Sequence, residues 1–258
     1  MRAIRETYIG KKMARSPNPL LQRLGAPQIE PPWTLFEASL ALVALALGML
    51  LIAPASALLL SGDTNNPDTA SWVLAWTIGL FVVGGFIVIR WRRTKEKFDA
   101  LKFDVGRLPL PMMFIIGVGA ALLGSLAALA GSGVLQTAPQ IIGLPTQIGD
   151  VLFGIILLVI VQPVVDSLVF ASVLLPRLRH TLGAYGGLIM MVLAFAGYHA
   201  LVYGGRLQGD LSLWYGFVMP LVLGLCVGVA RVWGGSTRSA IVLQIGYGVM
   251  SIAMLFLL

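Results

Sequence analysis

The sequence predicts an all-α, polytopic transmembrane helix bundle of about seven spans, with the N-terminus cytoplasmic and the C-terminus outside. Apolar runs recur along the chain, each about 20 residues long and therefore able to cross a hydrocarbon core of about 30 Å as a helix. Of 258 residues, 58% are hydrophobic and 11% charged, which excludes an ordinary soluble domain. Seventeen of the 18 Lys and Arg residues fall in four stretches between those runs: residues 1–24, residues 90–107, Arg177 with Arg179, and Arg231 with Arg238. Arg206 stands apart. Alternate loops thus carry nearly all the bases, which is the positive-inside pattern. The net charge of +7 describes a cytoplasmic rim facing anionic lipid headgroups, and no nucleic-acid partner is expected.

Residues 1–33 form a basic cytoplasmic arm broken at Pro27, Pro31 and Pro32, without the apolar stretch of a secretory signal. The first span is expected at 35–60, kinked by Pro54 near its outer end. Segment 61–69 carries acids but no base and belongs outside. The second span, 72–89, stops at the cluster Arg90, Arg92 and Arg93. An inner loop follows over 90–110, and its Trp91, Phe98, Leu101 and Phe103 suit the membrane interface. Residues 34–110 therefore make two N-terminal helices and a basic loop.

Residues 111–258 make a five-helix core. Its spans are expected at 111–130, 150–175 (interrupted by Pro163), 185–203, 213–230 and 239–258. The outer segments 131–149 and 204–212 connect them, the first without a Lys or Arg. Gly224-x-x-x-Gly228 and the glycines at 183, 186 and 187 allow close helix approach, read here as packing within the chain. Cys226 is the single cysteine, so no internal disulfide or multi-cysteine metal site exists. It is expected as a small buried side chain.

A titratable group inside a span costs about 2.5–3.5 kcal/mol on insertion scales, which makes each one a functional suspect. Two lie deep: Asp166, just past Pro163, and His199, well inside the next helix. Consecutive antiparallel helices can bring them together. Asp166 reads either as a general base or ligand, or as a carboxyl turned into the bundle; His199 as a metal or pigment ligand, or as a hydrogen-bonding partner of Asp166. The structural reading is preferred for both. Glu37 sits near the inner edge of its span and His180 at the inner surface, both within reach of headgroup water. Gln162, Ser167 and Gln244 are neutral and suited to bridging helices.

The segment Val165-Asp-Ser-Leu-Val-Phe-Ala-Ser-Val-Leu-Leu-Pro-Arg-Leu-Arg179, followed by Phe195-Ala-Gly-Tyr-His199, resembles the core of the CPBP family of CAAX-protease and bacteriocin-processing membrane proteins. That family carries Glu-Glu-x-x-x-Arg, Phe-x-x-x-His and a late His-x-x-x-Asn/Asp. The resemblance covers about residues 110–258. It places Asp166 and Ser167 at the glutamate pair, Ala171 at the arginine, Ser172 at the following glycine, His199 at the first histidine, Gln244 at the second, and Gly248 at the Asn/Asp. In such a site a glutamate activates water while histidine and asparagine hold the carbonyl and its oxyanion. Here His199 alone is unchanged.

Losing a carboxylate and an arginine together avoids stranding a buried charge, which costs about 3–5 kcal/mol when one partner alone is removed. The resemblance thus implies a family scaffold whose catalytic set is vestigial: Asp166, His199 and Gln244. No cofactor or metal is expected, since one histidine, one aspartate and one glutamine make a poor zinc site. The expected role is a structural or assembly subunit of a larger complex of integral membrane proteins, in a prokaryotic cytoplasmic membrane. Two alternatives stay open: an active CAAX-type endopeptidase using Asp166 and His199, and a pigment- or haem-binding subunit ligated by His199.

Overall fold

The computed structural model describes residues 19–62, 69–133, 152, 154–203 and 210–257. Most of the basic arm, Arg206 and most of the three outer connections named above lie outside the described residues. The described chain is helical: α1 (Pro19–Gly25), α2 (Leu35–Ser61), α3 (Thr69–Arg92), α4 (Lys95–Ala100), α5 (Leu110–Ser132), α6 (Ile156–Leu182), α7 (Ala184–Tyr203), α8 (Trp214–Gly234) and α9 (Thr237–Leu257). Six of these, α2, α3, α5, α6, α7 and α8, are long and apolar enough to cross a membrane. The expected seventh span is α9, a helix of 21 residues that carries Arg238 and Gln244 and stands outside those six.

Local sequence sets the helix starts. Thr34 accepts from the Glu37 amide while the Glu37 carboxylate accepts from the Thr34 amide, a capping box that opens α2. The same carboxylate receives Arg90 at 2.8 Å and Lys97 at 2.7 Å, so Glu37 ties α2 to the end of α3 and to α4. Headgroup water is not its main partner.

Prolines shape the long helices. In four places the residue before a proline bonds five residues back instead of four: Ala53 to Gly48, Gln162 to Leu157, Leu175 to Phe170 and Met219 to Trp214. A proline has no N–H to give and crowds the carbonyl four residues earlier; a widened, π-helical turn just ahead of it relieves both problems. This corrects the expected end of the fourth span at 175. The helix absorbs Pro176 and runs on to Leu182, so Arg177 and Arg179 lie on α6 itself.

A continuous core runs from Trp33 through α2, α3, α6 and α7. Trp33 donates from Nε1 to the Val173 carbonyl at 3.0 Å and meets Trp91 edge-on at 6.2 Å. Trp91 and Leu101, expected at the interface, are buried instead, because the inner loop folds back over the bundle. On the other side α5 and α9 touch backbone to backbone: a Cβ at Gly117 would strike the Leu243 carbonyl, and one at Gly246 the Phe114 carbonyl. The Gly224/Gly228 pair admits Phe195, Leu188 and Met191 of α7, as the packing reading requires. Cys226 is partly buried, beside the cluster around Met113 and Val227.

Described residues of all four basic stretches meet at one end of the bundle. Arg23 donates to the Trp233 carbonyl, Arg179 to the Ala26 carbonyl, and the Arg107 amide to the Gly234 carbonyl. Arg177 pairs with Glu30 at 2.9 Å. Lys102, at a left-handed φ of 57°, presents its carbonyl to the Thr237 amide at 2.8 Å, and Ser236 Oγ donates to the Asp104 carbonyl at 2.6 Å. The loop before α5 is thereby bolted to the start of α9.

Candidate functional site

Asp166 sits between the two widened turns of α6, and His199 one turn before the end of α7. The structure brings them together, with His199 Nε2 3.5 Å from Asp166 Oδ2. The imidazole is fixed by its own helix, since Nδ1 lies 2.9 Å from the Phe195 carbonyl and must carry the hydrogen it donates. Its ring stacks on Phe195 with centroids 4.3 Å apart and meets Tyr198 edge-on at 5.0 Å. Nε2 is left to face both Asp166 and the Gln162 amide nitrogen, the latter at 3.3 Å. Two lone pairs repel, so a proton must lie between Oδ2 and Nε2 for the first contact to attract.

Asp166 is fully buried, and neither of its carboxyl oxygens has a hydrogen-bond partner among the described residues. That is a high-cost environment for a polar group. Ser167, beside it, accepts from Gln244 Nε2 at 3.0 Å. Gln244 is thus turned back onto α6, bridging helices as a neutral intramembrane amide does. Gln162 does the same between α6 and α7.

His199, Gln162 and Gln244 border a cavity of about 120 Å³. His199, Gln162, Gln244 and Gly248 contribute to its wall, together with Tyr203, Tyr215, Tyr247 and Met219; Asp166 does not. The cavity is mainly apolar and aromatic, and its amides are spent on neighbours inside the protein. Tyr215 and Tyr247 are parts of this wall that a search for charge could not reveal. Their signal is weak, as polar or aromatic residues at scattered positions in apolar helices.

The remaining aligned positions explain themselves by packing. Ala171 is fully buried against Met113, Val227, Ala230, Ala240 and Leu243, which leaves no space for an arginine. Ser172 donates to the Ser167 carbonyl at 3.2 Å and lies 2.7 Å from Thr237 Oγ1, whose own hydroxyl donates to the Leu101 carbonyl. Gly248 lies so close to α6 that a Cβ there would run into the Leu158 carbonyl. An asparagine at this position would force the helices apart.

Among the described residues no three His, Cys, Asp or Glu side chains gather to hold a metal ion. Any axial ligation by His199 would have to use Nε2, which already has Gln162 and Asp166 before it.

No curated protein and no solved structure matches this chain. Residues 148–250 match the family model of type II CAAX prenyl endopeptidase Rce1-like proteins, a stretch that includes Asp166, His199, Gln244 and Gly248. The segment 148–250 is thus similar to an Rce1-like domain, and it is set in a multi-pass helical membrane architecture.

Proposed function

We infer that this protein is a non-catalytic Rce1-like membrane protein that works as a structural or accessory subunit alongside other integral membrane proteins. One observation carries the reading. Asp166, the sole carboxylate at the family's glutamate pair, is fully buried behind His199 and has no place on the cavity wall. A general base must reach the water it activates, directly or through one intervening water. The oxyanion side is equally poor, because Gln244 donates to Ser167 and Gly248 has no side chain. The gathering of basic residues at one end supports a cytoplasmic setting for that end.

The test is cleavage of a prenylated CAAX peptide by the purified chain in phosphatidylcholine vesicles. The expected result is no release of the tripeptide beyond that of an Asp166→Ala, His199→Ala double variant. The contact of His199 with Asp166 beside a cavity favours a second reading, a surviving membrane hydrolase. Cleavage that disappears in either single variant would establish that reading and end the first. An absorption spectrum of the same preparation addresses tetrapyrrole ligation by His199; a Soret band lost in His199→Ala would revive it.

A further inference from the structure

A second cavity, of about 200 Å³, opens at the basic end of the bundle and shares no wall residue with the first. Arg23, Arg107, Arg179 and Arg231 line it, and no carboxylate does. They come from four separate parts of the chain: α1, the loop before α5, the end of α6 and the end of α8. None of the four belongs to an ion pair among the described residues. Arg177, two residues from Arg179, shows the contrast, since it is neutralised by Glu30.

Arg179 is 3% exposed. Its Nη2 donates to the Ala26 carbonyl at 2.8 Å, but its Nε and Nη1 have no partner among the described residues. The Nε of Arg231 is likewise buried without one, and its charge lies close enough to that of Arg179 for the two to oppose each other. Arg23 gives one hydrogen to the Trp233 carbonyl at 3.2 Å. A purely structural role would need carbonyls or carboxylates to satisfy these forks, and the described residues supply only part of that set. Buried cations with free donors are costly unless an anion answers them.

We propose that these four arginines form an anion site that takes a phosphate group. A phosphate offers several acceptor oxygens and more than one negative charge, matching paired guanidinium forks better than a single carboxylate does. The volume is enough for one such group with accompanying water, each water taking about 30 Å³. The site lies where α6 and α8 end, at headgroup depth for a spanning bundle. The phosphate therefore belongs either to an anionic lipid headgroup or to a free phosphorylated solute. This inference is independent of whether the first cavity is catalytic.

The experiment uses the full chain, and Arg107→Gln and Arg231→Gln variants checked for an unchanged elution profile. Arg107 is exposed, so its replacement leaves packing intact. In a neutral detergent, inorganic phosphate is titrated against sodium chloride at equal ionic strength while the thermal midpoint is followed. In a second arm, nanodiscs of phosphatidylcholine are compared with nanodiscs containing phosphatidylglycerol. Phosphate stabilises many proteins by exclusion from their surface, so the reading is the difference between wild type and variant. A saturable midpoint rise, with apparent affinity weakened about tenfold or more in each variant, is expected. Its appearance with inorganic phosphate identifies a solute site; its appearance with phosphatidylglycerol alone identifies a lipid headgroup site. Equal shifts in wild type and both variants, or no shift in either arm, would overturn the proposal.

Discussion

His199 has two nitrogens and three neighbours that compete for them. Nδ1 is committed to the Phe195 carbonyl, and Nε2 is divided between Gln162 and Asp166. Removing the ring would leave Asp166 sealed in the bundle with nothing beside it to share a proton. His199→Ala is therefore expected to destabilise the protein by about 3–5 kcal/mol. Adding Asp166→Asn should recover a large part of that loss, since the neutral amide has less need of a partner. Thermal unfolding of the two single variants and the double variant measures the coupling directly; strict additivity would show that the 3.5 Å contact has no energetic content. A smaller effect belongs to Glu30, whose carboxyl is held below the ordinary glutamate range by its hydrogen bond from Arg177 and the nearby His180. A depressed carboxyl contributes stability above its unfolded pKa and loses it as the pH falls through the folded value. Glu30→Gln should thus lower the midpoint slightly at neutral pH and make no difference in acid, where the wild-type carboxyl is protonated. With 64% of the Glu30 side chain exposed, solvent screening keeps the effect small.

Helix registers decide what the site can hold. Four prolines each lie just beyond a widened turn, and two of those turns bracket Asp166 on α6. Pro163 was legible as an interruption. That Pro176 would be absorbed rather than end the helix was not, because a register shift of one residue leaves no mark in composition. The same limit applied to Gly248. Its correspondence to an Asn/Asp position was readable, but the contact with Leu158 that demands glycine was not, since it depends on how closely α9 lies to α6. Gly248→Asn should therefore destabilise by about 1–3 kcal/mol or more through overpacking. Combining it with Gln244→His restores the family pattern in sequence, yet the expected outcome is a lower thermal midpoint and no cleavage of a prenylated peptide. Recovery of cleavage without loss of stability would mean that α9 can move away from α6 freely.

Across the whole molecule, the class of fold and most spans could be read from two periodic signals, apolar length and the placement of bases. The Asp166–His199 meeting followed from antiparallel neighbours. What stayed hidden were the tertiary closures: Trp91 and Leu101 drawn inward, and Glu37 answering Arg90 and Lys97. Hidden too was the convergence of Arg23, Arg107, Arg179 and Arg231 on one cavity. Each joins residues far apart in the chain, and a linear reading shows their types but not their meeting. At this scale the arginine cluster and the buried Asp166 belong to different regions with different chemistry, so a variant in one should leave the readout of the other unchanged.

The backbone contact of α5 with α9 also bears on how the protein is made. A ribosome releases α5 long before α9, so the backbone face at Gly117 waits without its partner until α9 has been made. The wall formed by Gln244, Tyr247 and Gly248 is consequently installed after the walls that α6, α7 and α8 supply. A chain stopped ahead of Thr237 is expected to insert but to be cleared by quality-control proteases, visible as a shortened half-life in a pulse–chase experiment. Supplying α9 as a separate peptide should lengthen that half-life.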